Sequence, residues 1–253
     1  MNLKTFSAIP LSLSLLAGCS SETTESANVK TEAIWADIYV TSQGEDSRVI
    51  AELNVSSRNG NNIKLSDKDK LHATAAGITK DLTIDDGFLD IDYRATFNVA
   101  EKDTRFVVTL TRAESNDTLQ TELLLPAPFT IITPQKNQSY YKQDTVEINW
   151  TPDDATDTRL DALLTIRCKN KDGNEESIAQ SYTDLTDDGN LSVDLSSLDG
   201  FDSETLNDKK SCEADIYMER IRYSSLDTKY AEGSRARAIQ ERYSDKFEVR
   251  LFQ

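Results

Sequence analysis

Apolar and polar residues alternate over many short runs of this 253-residue chain, and this pattern constrains the fold more than any other. Period two is the spacing of a β-strand, because successive side chains point to opposite faces of a sheet. Helical periodicity is scarce by comparison. The sequence therefore predicts an all-β protein. The clearest alternating runs are residues 49–55, 106–111, 119–125, 146–150 and 247–251.

Short clusters of turn-forming residues separate these runs. Asparagine, aspartate and glycine provide the positive φ angles and the side-chain-to-backbone hydrogen bonds that hairpin loops require. Many short strands at about 8–12-residue spacing are typical of a β-sandwich. The turn clusters lie at residues 58–62, 85–87, 114–117, 171–174 and 187–190.

The N-terminus carries a different pattern. Lys4 precedes a charge-free stretch, which ends in Leu16-Ala17-Gly18-Cys19. This arrangement resembles a bacterial lipoprotein signal peptide with its lipobox. The resemblance implies cleavage before Cys19 and attachment of diacylglycerol and palmitate to that cysteine. Ser20, in place of an aspartate, implies the outer membrane of a diderm bacterium.

An ordinary secretory signal with a chance cysteine is the alternative to a lipobox. The apolar stretch at residues 6–16 is too short to span a bilayer as a helix, which takes about 20 apolar residues. Residues 20–30 lack large apolar side chains for the most part, so they are predicted to form a flexible tether. The predicted N-terminal organisation is a signal peptide at 1–18 and a lipidated tether at 19–30.

The remaining length suits two domains of about 100 residues each. The run Pro126-Ala127-Pro128 interrupts the strand pattern, because proline cannot donate to a strand ladder. A domain boundary is predicted at this run. The predicted fold is two tandem immunoglobulin-like β-sandwich domains, at residues 31–126 and 127–253.

A second resemblance lies in the second predicted domain. The alternating strand at 144–150 ends in Trp150-Thr151-Pro152, which resembles the second strand of fibronectin type III and related immunoglobulin-like modules. The resemblance implies that Trp150 fills the space between two sheets. Antibody-type domains place this tryptophan between their two disulfide cysteines. Here Trp150 precedes both Cys168 and Cys212, so a disulfide would link other strands.

Cys168 and Cys212 form an even pair once Cys19 is assigned to lipid. An oxidising compartment favours a disulfide between them, joining a strand near 163–168 to one near 212–217. Closing that loop stabilises the second domain by roughly 3–4 kcal/mol in the chain-entropy model. Two buried free thiols are the alternative.

The net charge of −16 disfavours nucleic acid and anionic lipid headgroups as partners. Solubility or an acidic binding face accounts for this charge. Arginine and tyrosine concentrate instead near the C-terminus, around the loop predicted at 224–234. Tyrosine with arginine is the composition of interface anchors, so these residues form a predicted binding surface. Pairing of the arginines with nearby acids is the alternative. The candidates are Arg220, Arg222, Tyr223, Tyr230, Arg235, Arg237 and Arg242.

Motifs for enzymatic chemistry are missing from the sequence. His72 is the only histidine, and it alternates with apolar neighbours on a predicted strand, which places it on the solvent face. No nucleophile elbow, zinc-protease motif or phosphate loop is present, and a zinc site has too few ligands. The turn at 184–190 is similar to a calcium-binding loop, but Leu195 stands where a bidentate glutamate is required.

The sequence thus predicts no catalytic residue, no bound metal and no cofactor, with calcium as the one candidate ion. The function it favours is a lipid-anchored cell-envelope protein that acts as a non-enzymatic binding or structural module. Its predicted partners are the membrane, through the N-terminal lipid, and an envelope protein or glycan. The alternatives are an envelope glycan or peptide hydrolase that uses paired carboxylates, and a calcium-dependent adhesin.

Overall fold

The computed structural model describes residues 22–87, 91–201, 204–207 and 209–251. The predicted signal peptide and Cys19 lie outside the described residues. Among the residues described, no helix is long and apolar enough to cross a membrane.

The chain is built from short strands joined by turns, as its alternation predicts. The strands before residue 126 are β1 (Thr23–Glu25), β2 (Ile34–Ser42), β3 (Ser47–Val55), β4 (Asn62–Lys64), β5 (Lys70–Ala75), β6 (Ile78–Asp81), β7 (Thr83–Asp85), β8 (Asp92–Phe97), β9 (Arg105–Thr111) and β10 (Thr118–Leu124). Those after it are β11 (Ile131–Thr133), β12 (Ser139–Tyr141), β13 (Thr145–Trp150), β14 (Thr158–Lys169), β15 (Glu175–Leu185), β16 (Asn190–Asp194), β17 (Cys212–Ser224), β18 (Arg235–Tyr243) and β19 (Phe247–Arg250).

The protein is all-β and consists of two β-sandwiches, each with its own hydrophobic core. In the first sandwich, a sheet containing β8, β3 and β2 packs against the sheet β10-β9-β5-β6. Period-two alternation places one side of each strand in the core. Leu71, Ala73 and Ala75 of β5 are buried, whereas His72 between them is only half-buried.

In the second sandwich, the three-stranded sheet β11-β13-β16 packs against the strands β15, β14, β17 and β19. Trp150, at the end of β13, is 2% exposed and lies in this core with Leu164 and Ile216. The tryptophan therefore occupies the inter-sheet position that the resemblance to fibronectin type III modules implies.

One sheet runs through both sandwiches. Its strand order is β1-β4-β3-β2-β18-β17-β14-β15, so β18 joins the two halves. β18 pairs antiparallel with β17 and parallel with β2, from Arg235 opposite Asp37 to Gln240 opposite Ser42. A strand from the C-terminal part of the chain thus extends the sheet of the first sandwich.

The two hydrophobic cores divide the chain near the predicted boundary, with one addition. Leu125 belongs to the first core and Phe129 to the second. Tyr230, Ala236 and Ala238 also belong to the first core, although they lie far beyond the boundary in sequence. The division at residue 126 stays a prediction, and the β17–β18 hairpin is shared between the sandwiches.

The predicted flexible tether needs a correction for residues 23–29. β1 pairs in parallel with β4, and Ser26 is fully buried. The Ser26 hydroxyl donates to Asp69 (2.6 Å), and Arg112 Nη2 donates to the carbonyls of Ser26 (2.7 Å) and Val29 (2.9 Å). These buried hydrogen bonds hold a polar segment that composition alone classes as a linker.

Cys168 and Cys212 form the predicted disulfide, with an Sγ–Sγ distance of 2.06 Å. Their Cα atoms are 4.3 Å apart, and both residues are buried. Because β14 and β17 are neighbours in one sheet, the bond is a cross-strand link and does not join the two sheets of the sandwich.

Replacing both cysteines by alanine (Cys168→Ala/Cys212→Ala) is expected to lower the free energy of unfolding by about 4 kcal/mol, because the unfolded chain loses a cross-link. The sequence separation of 44 residues sets the size of this loss. Urea unfolding of the oxidised wild type and the double variant measures it. Full alkylation of both thiols in the wild type without a reductant would contradict the disulfide.

Candidate functional site

The segment that links the two sandwiches is held by side chains of the β17–β18 hairpin. Arg222 Nη1 donates to the carbonyl of Leu125 (3.3 Å), and Gln240 Nε2 to that of Pro126 (3.4 Å). Arg220 Nη1 donates to the carbonyl of Ala127 (2.8 Å). Three successive linker carbonyls therefore each accept a hydrogen bond from the hairpin, which keeps the linker in one conformation.

Arg220 is the centre of this junction and is fully buried. Its guanidinium forms a bidentate pair with Asp187, with Nε–Oδ2 at 2.6 Å and Nη2–Oδ1 at 2.8 Å. Nη2 also donates to the carbonyl of Thr151 (2.9 Å), and the guanidinium lies 4.8 Å from the ring centroid of Phe129. Such complete pairing is the condition under which a buried charge is tolerated.

The turn before β16 places Asp187 against Arg220. Gly189 in this turn has φ +90, and a Cβ there would lie 3.0 Å from the carbonyl oxygen of Trp150. Trp150 Nε1 donates to Asp187 Oδ1 (2.7 Å), so the core tryptophan and Arg220 share one carboxylate. A turn that composition marks only as a loop thereby connects the second core to the junction.

Arg222 and Gln240 extend the junction to the first sandwich. Arg222 Nη1 lies 2.6 Å from Asp103 Oδ1, and its Nε lies 3.1 Å from Asp157 Oδ2. Burial lowers the pKa of Arg222, but its hydrogen bond to Asp103 and the charge of Asp157 outweigh this, so the pKa is raised overall. Gln240 Nε2 also donates to the carbonyl of Ala100 (2.9 Å). One hairpin thus contacts both sandwiches through polar groups.

On the opposite face of the shared sheet, Arg235 and Arg237 of β18 pair with Asp37 of β2. Asp37 is 1% exposed, and Arg235 Nη2 lies 2.6 Å from its Oδ2. Arg237 pairs with the other carboxylate oxygen and stacks over Tyr39, with 4.6 Å between the guanidinium and the ring centroid. These contacts add side-chain specificity to the backbone pairing of β18 with β2.

The loop predicted at 224–234 occupies residues 225–234, between β17 and β18, and is docked on the first sandwich. Ala231 N donates to the carbonyl of Ile34 (2.8 Å), and Trp35 Nε1 donates to that of Gly233 (2.8 Å). Tyr230 is 8% exposed and lies in the first core, where burial raises the pKa of its hydroxyl above the ordinary value. The loop therefore anchors the hairpin.

These positions correct the predicted binding surface. Arg220, Arg222 and Tyr230 are buried and cannot form part of an exposed surface. Arg242 is half-buried, donates to the carbonyl of Ser42 (3.0 Å), and has a pKa lowered by burial and by the charge of Arg220. The arginines pair with acids and carbonyls, which is the alternative left open by the sequence.

Part of the predicted surface does face solvent. Tyr223 is 56% exposed, and the side chain of Arg235 is 44% exposed. Tyr243, at the other end of β18, is 62% exposed and stacks on Tyr217 of β17 with 4.7 Å between the ring centroids. Burial and hydrogen bonds to two glutamates raise the pKa of Tyr217, so its hydroxyl stays protonated. The remaining exposed face is a tyrosine-rich part of the shared sheet.

Two aspartates at candidate sites for catalysis or metal binding, Asp69 and Asp187, are held by structural partners. A cleft of about 440 Å³ is lined by carboxylates that include Asp69, but that side chain is 1% exposed and pairs with Arg112 at 3.0 Å. Within the described ranges, no three histidine, cysteine, aspartate or glutamate side chains are grouped to hold a metal ion. In the calcium-like turn, Asp187 is occupied by Arg220 and Trp150.

The residues that the sequence did not identify are Asp37, Asp187 and Gln240. A signal for Asp37 exists, since it is the only charged residue in the run 34–40. Asp187 is indistinguishable from an ordinary turn aspartate, and Gln240 follows the alternation of β18 without any mark of its own. Their roles depend on partners remote in sequence.

Comparison with solved structures finds immunoglobulin-like and fibronectin-like proteins at low similarity. The fibronectin(III)-like modules of Clostridium thermocellum CbhA are 11% identical over 83% of this chain and 90% of theirs, with a TM-score of 0.20. The titin domains Z1Z2, solved in complex with telethonin, are 12% identical over 87% of this chain and 95% of theirs, with a TM-score of 0.24. The chicken CNTN1 FN1-FN3 domains are 9% identical over 83% of this chain and 65% of theirs, with a TM-score of 0.21.

No protein-family model matches the chain, and no curated protein matches it. Similarity at the level of these solved structures says nothing about function. A functional assignment for this chain therefore depends on the chemistry of its own residues.

Replacing Arg220 by methionine (Arg220→Met) is expected to lower the free energy of unfolding by about 3 kcal/mol, because Asp187 would keep its charge without its cation. The matched control is Arg105→Met, which removes an exposed pair with Glu122 and should cost less than about 1 kcal/mol. Urea unfolding measures both variants. Equal losses in the two would show that the buried pair has no special weight.

Proposed function

We propose that this chain is a lipid-anchored protein of the bacterial cell envelope whose two sandwiches act together as one stiff, non-enzymatic binding or structural module. The observation that carries the proposal is the parallel pairing of β18 with β2, which makes one sheet of the two sandwiches. A module of this kind holds a surface at a fixed orientation to the membrane.

Stiffness follows from the chemistry of the junction. Separating the sandwiches would expose the backbone edge of β2 and the Tyr230 ring, and would leave the charge of Asp37 without Arg235 and Arg237. Each lost partner of a buried charge costs several times what an exposed pair contributes. The hinge motion common between tandem domains is therefore opposed at this junction.

The tether in this proposal is short. If Cys19 carries the lipid, only four peptide units separate it from Thr23 at the start of β1, a reach of at most about 14 Å. Because β1 pairs with β4, the first sandwich is then held next to the headgroups. The Leu16-Ala17-Gly18-Cys19 run supports lipidation, and Ser20 supports an outer-membrane location in a diderm bacterium.

If the two sandwiches form one unit, they should unfold together. Trp35 lies in β2 and Trp150 in β13, and the chain has two tryptophans in all. In the variants Trp35→Phe and Trp150→Phe, the remaining tryptophan reports on one sandwich. Urea unfolding followed by fluorescence is expected to coincide with unfolding followed by circular dichroism in each variant. Separate midpoints within one variant would contradict a single stiff unit.

The anchor is tested independently. Metabolic labelling with an acyl-chain probe is expected to mark the wild type, whereas Cys19→Ala should take up no label and should leave the membrane fraction. Cys168→Ala/Cys212→Ala serves as the control for loss of a cysteine elsewhere in the chain, and it should label like the wild type. Equal labelling of the wild type and Cys19→Ala would contradict lipidation.

A further inference from the structure

We propose that the outer edge of β15 is a docking site for an extended, basic segment of another protein, which adds to the shared sheet as one more strand. The proposal specifies the partner of the binding module, so it rests on the proposed function. Three properties of β15 support it. One side of its backbone is unpaired, its central residues lack the features that usually prevent edge pairing, and its ends are acidic.

The backbone of β15 is free along one side. β15 pairs with β14, and within the described residues it has no second neighbour. The Cα separation of 4.3 Å between Cys168 and Cys212 is that of a non-hydrogen-bonded pair, so the N–H and C=O of Cys168 point toward β15. The hydrogen bond from Asn170 N to the carbonyl of Asn174 (2.9 Å) shows the same alternation.

This alternation identifies which groups are exposed at the edge. Cys168 lies opposite Glu176, and Ile166 opposite Ile178, so these even-numbered residues of β15 bond to β14. The N–H groups of Ser177, Ala179 and Ser181 therefore point away from the sheet, as do their carbonyls. The Ser181 carbonyl accepts a bond from the Gln180 side chain at 3.1 Å, which an incoming N–H can replace.

β15 has an irregularity only near its end, where the register with β14 shifts between Tyr182 and Leu185 and Asp184 has φ +58, so the edge from Ser177 to Tyr182 is regular. Free strand edges are usually short, or carry lysine, proline or a bulge. β15 has 11 residues, and its stretch 177–183 contains no charge, no proline and no glycine. By contrast, the edge strand β6 has 4 residues and carries Lys80. On the edge strand β10, Gln120 N is already bonded to Asp227 (3.1 Å).

Charge selects the kind of strand that fits. Glu175 and Glu176 lie at one end of β15 and Asp184 at the other, and the strand carries no cation. A second copy of β15 in antiparallel pairing would bring the glutamates of each strand near the aspartate of the other, and like charges across a ladder are destabilising. An extended segment with lysine or arginine near its ends is attracted instead.

The position of β15 suits this role. β1 and β15 are the two ends of the same strand order. Seven strand spacings separate them, which is on the order of 30 Å across the sheet. If β1 is held at the membrane by Cys19, the free edge is displayed at the far side of the stiff body, where another envelope protein can reach it.

The test uses a fluorescein-labelled synthetic peptide, Lys-Thr-Lys-Val-Thr-Val-Lys-Thr-Lys, and the full lipidated chain in nonionic detergent. Fluorescence anisotropy is expected to show saturable binding that weakens as salt rises. Replacing every lysine of the peptide by glutamate should abolish the binding. Hydrogen exchange of the segment 175–185, followed by mass spectrometry, should slow when the lysine peptide is bound.

Ala179→Pro is the decisive variant. It removes an N–H that points to solvent and leaves the β14 ladder intact, so the urea midpoint should change little. Its affinity for the peptide should be at least about tenfold lower than that of the wild type, or too low to detect. Ala179→Ser, which keeps the N–H, is the matched control and should bind as the wild type does.

A second variant covers the case in which Ala179→Pro fails to fold. Glu175→Lys/Thr183→Lys places a cation at each end of the edge, and it should bind the lysine peptide at least about tenfold more weakly than the wild type. Absence of binding to the wild type, or equal binding to the edge variants, would overturn the docking site. Acyl labelling and coincident unfolding are measured separately, so such a result would leave the proposed anchor and stiff body in place.

Discussion

The parallel pairing of β18 with β2 is the interaction on which the rest of the structure depends. Two parallel neighbours in a sheet are usually joined by one crossover connection within a single domain. β2 and β18 instead lie some 200 residues apart in sequence, as the contact between Asp37 and Arg237 illustrates. The pairing closes the open edge of β2 and gives the first core part of its side chains. The edge of β2, which could otherwise pair with a strand of another molecule, is therefore covered by a strand of the same chain.

Buried polar groups define the geometry of this junction. Arg220 pairs with Asp187, and Arg222 lies between Asp103 and Asp157. Apolar packing would tolerate small shifts of one sandwich against the other, because it is not directional. Bidentate ion pairs and hydrogen bonds to single carbonyls are directional, so they favour one orientation of the two sandwiches.

The same junction determines which surfaces of the protein remain exposed for binding. The arginines near the C-terminus have the composition of an interface, and they do form one, but with the other half of the same chain. Among the described residues, the tyrosine-rich face of the sheet and the edge of β15 remain accessible to other molecules. A protein whose internal contacts are this extensive presents a fixed surface rather than an adaptable one.

Much of this was readable from the residues alone. Period-two alternation predicted the strands and their buried faces, because burial of alternate side chains is a local property of a strand. The same alternation, in a strand that resembles fibronectin type III modules, placed Trp150 between the two sheets of the second sandwich. The cysteine count, together with the predicted export of the chain, indicated the Cys168–Cys212 disulfide. A local pattern cannot identify partners that are remote in the chain. Asp37 pairs with Arg235 of β18, and Gln240 donates to the carbonyl of Pro126 in the linker. Ser26 is held by Arg112 and Asp69. Only the tertiary structure decided that the two sandwiches share one sheet, since loop closure over long distances is settled by the total of contacts made and not by any single segment.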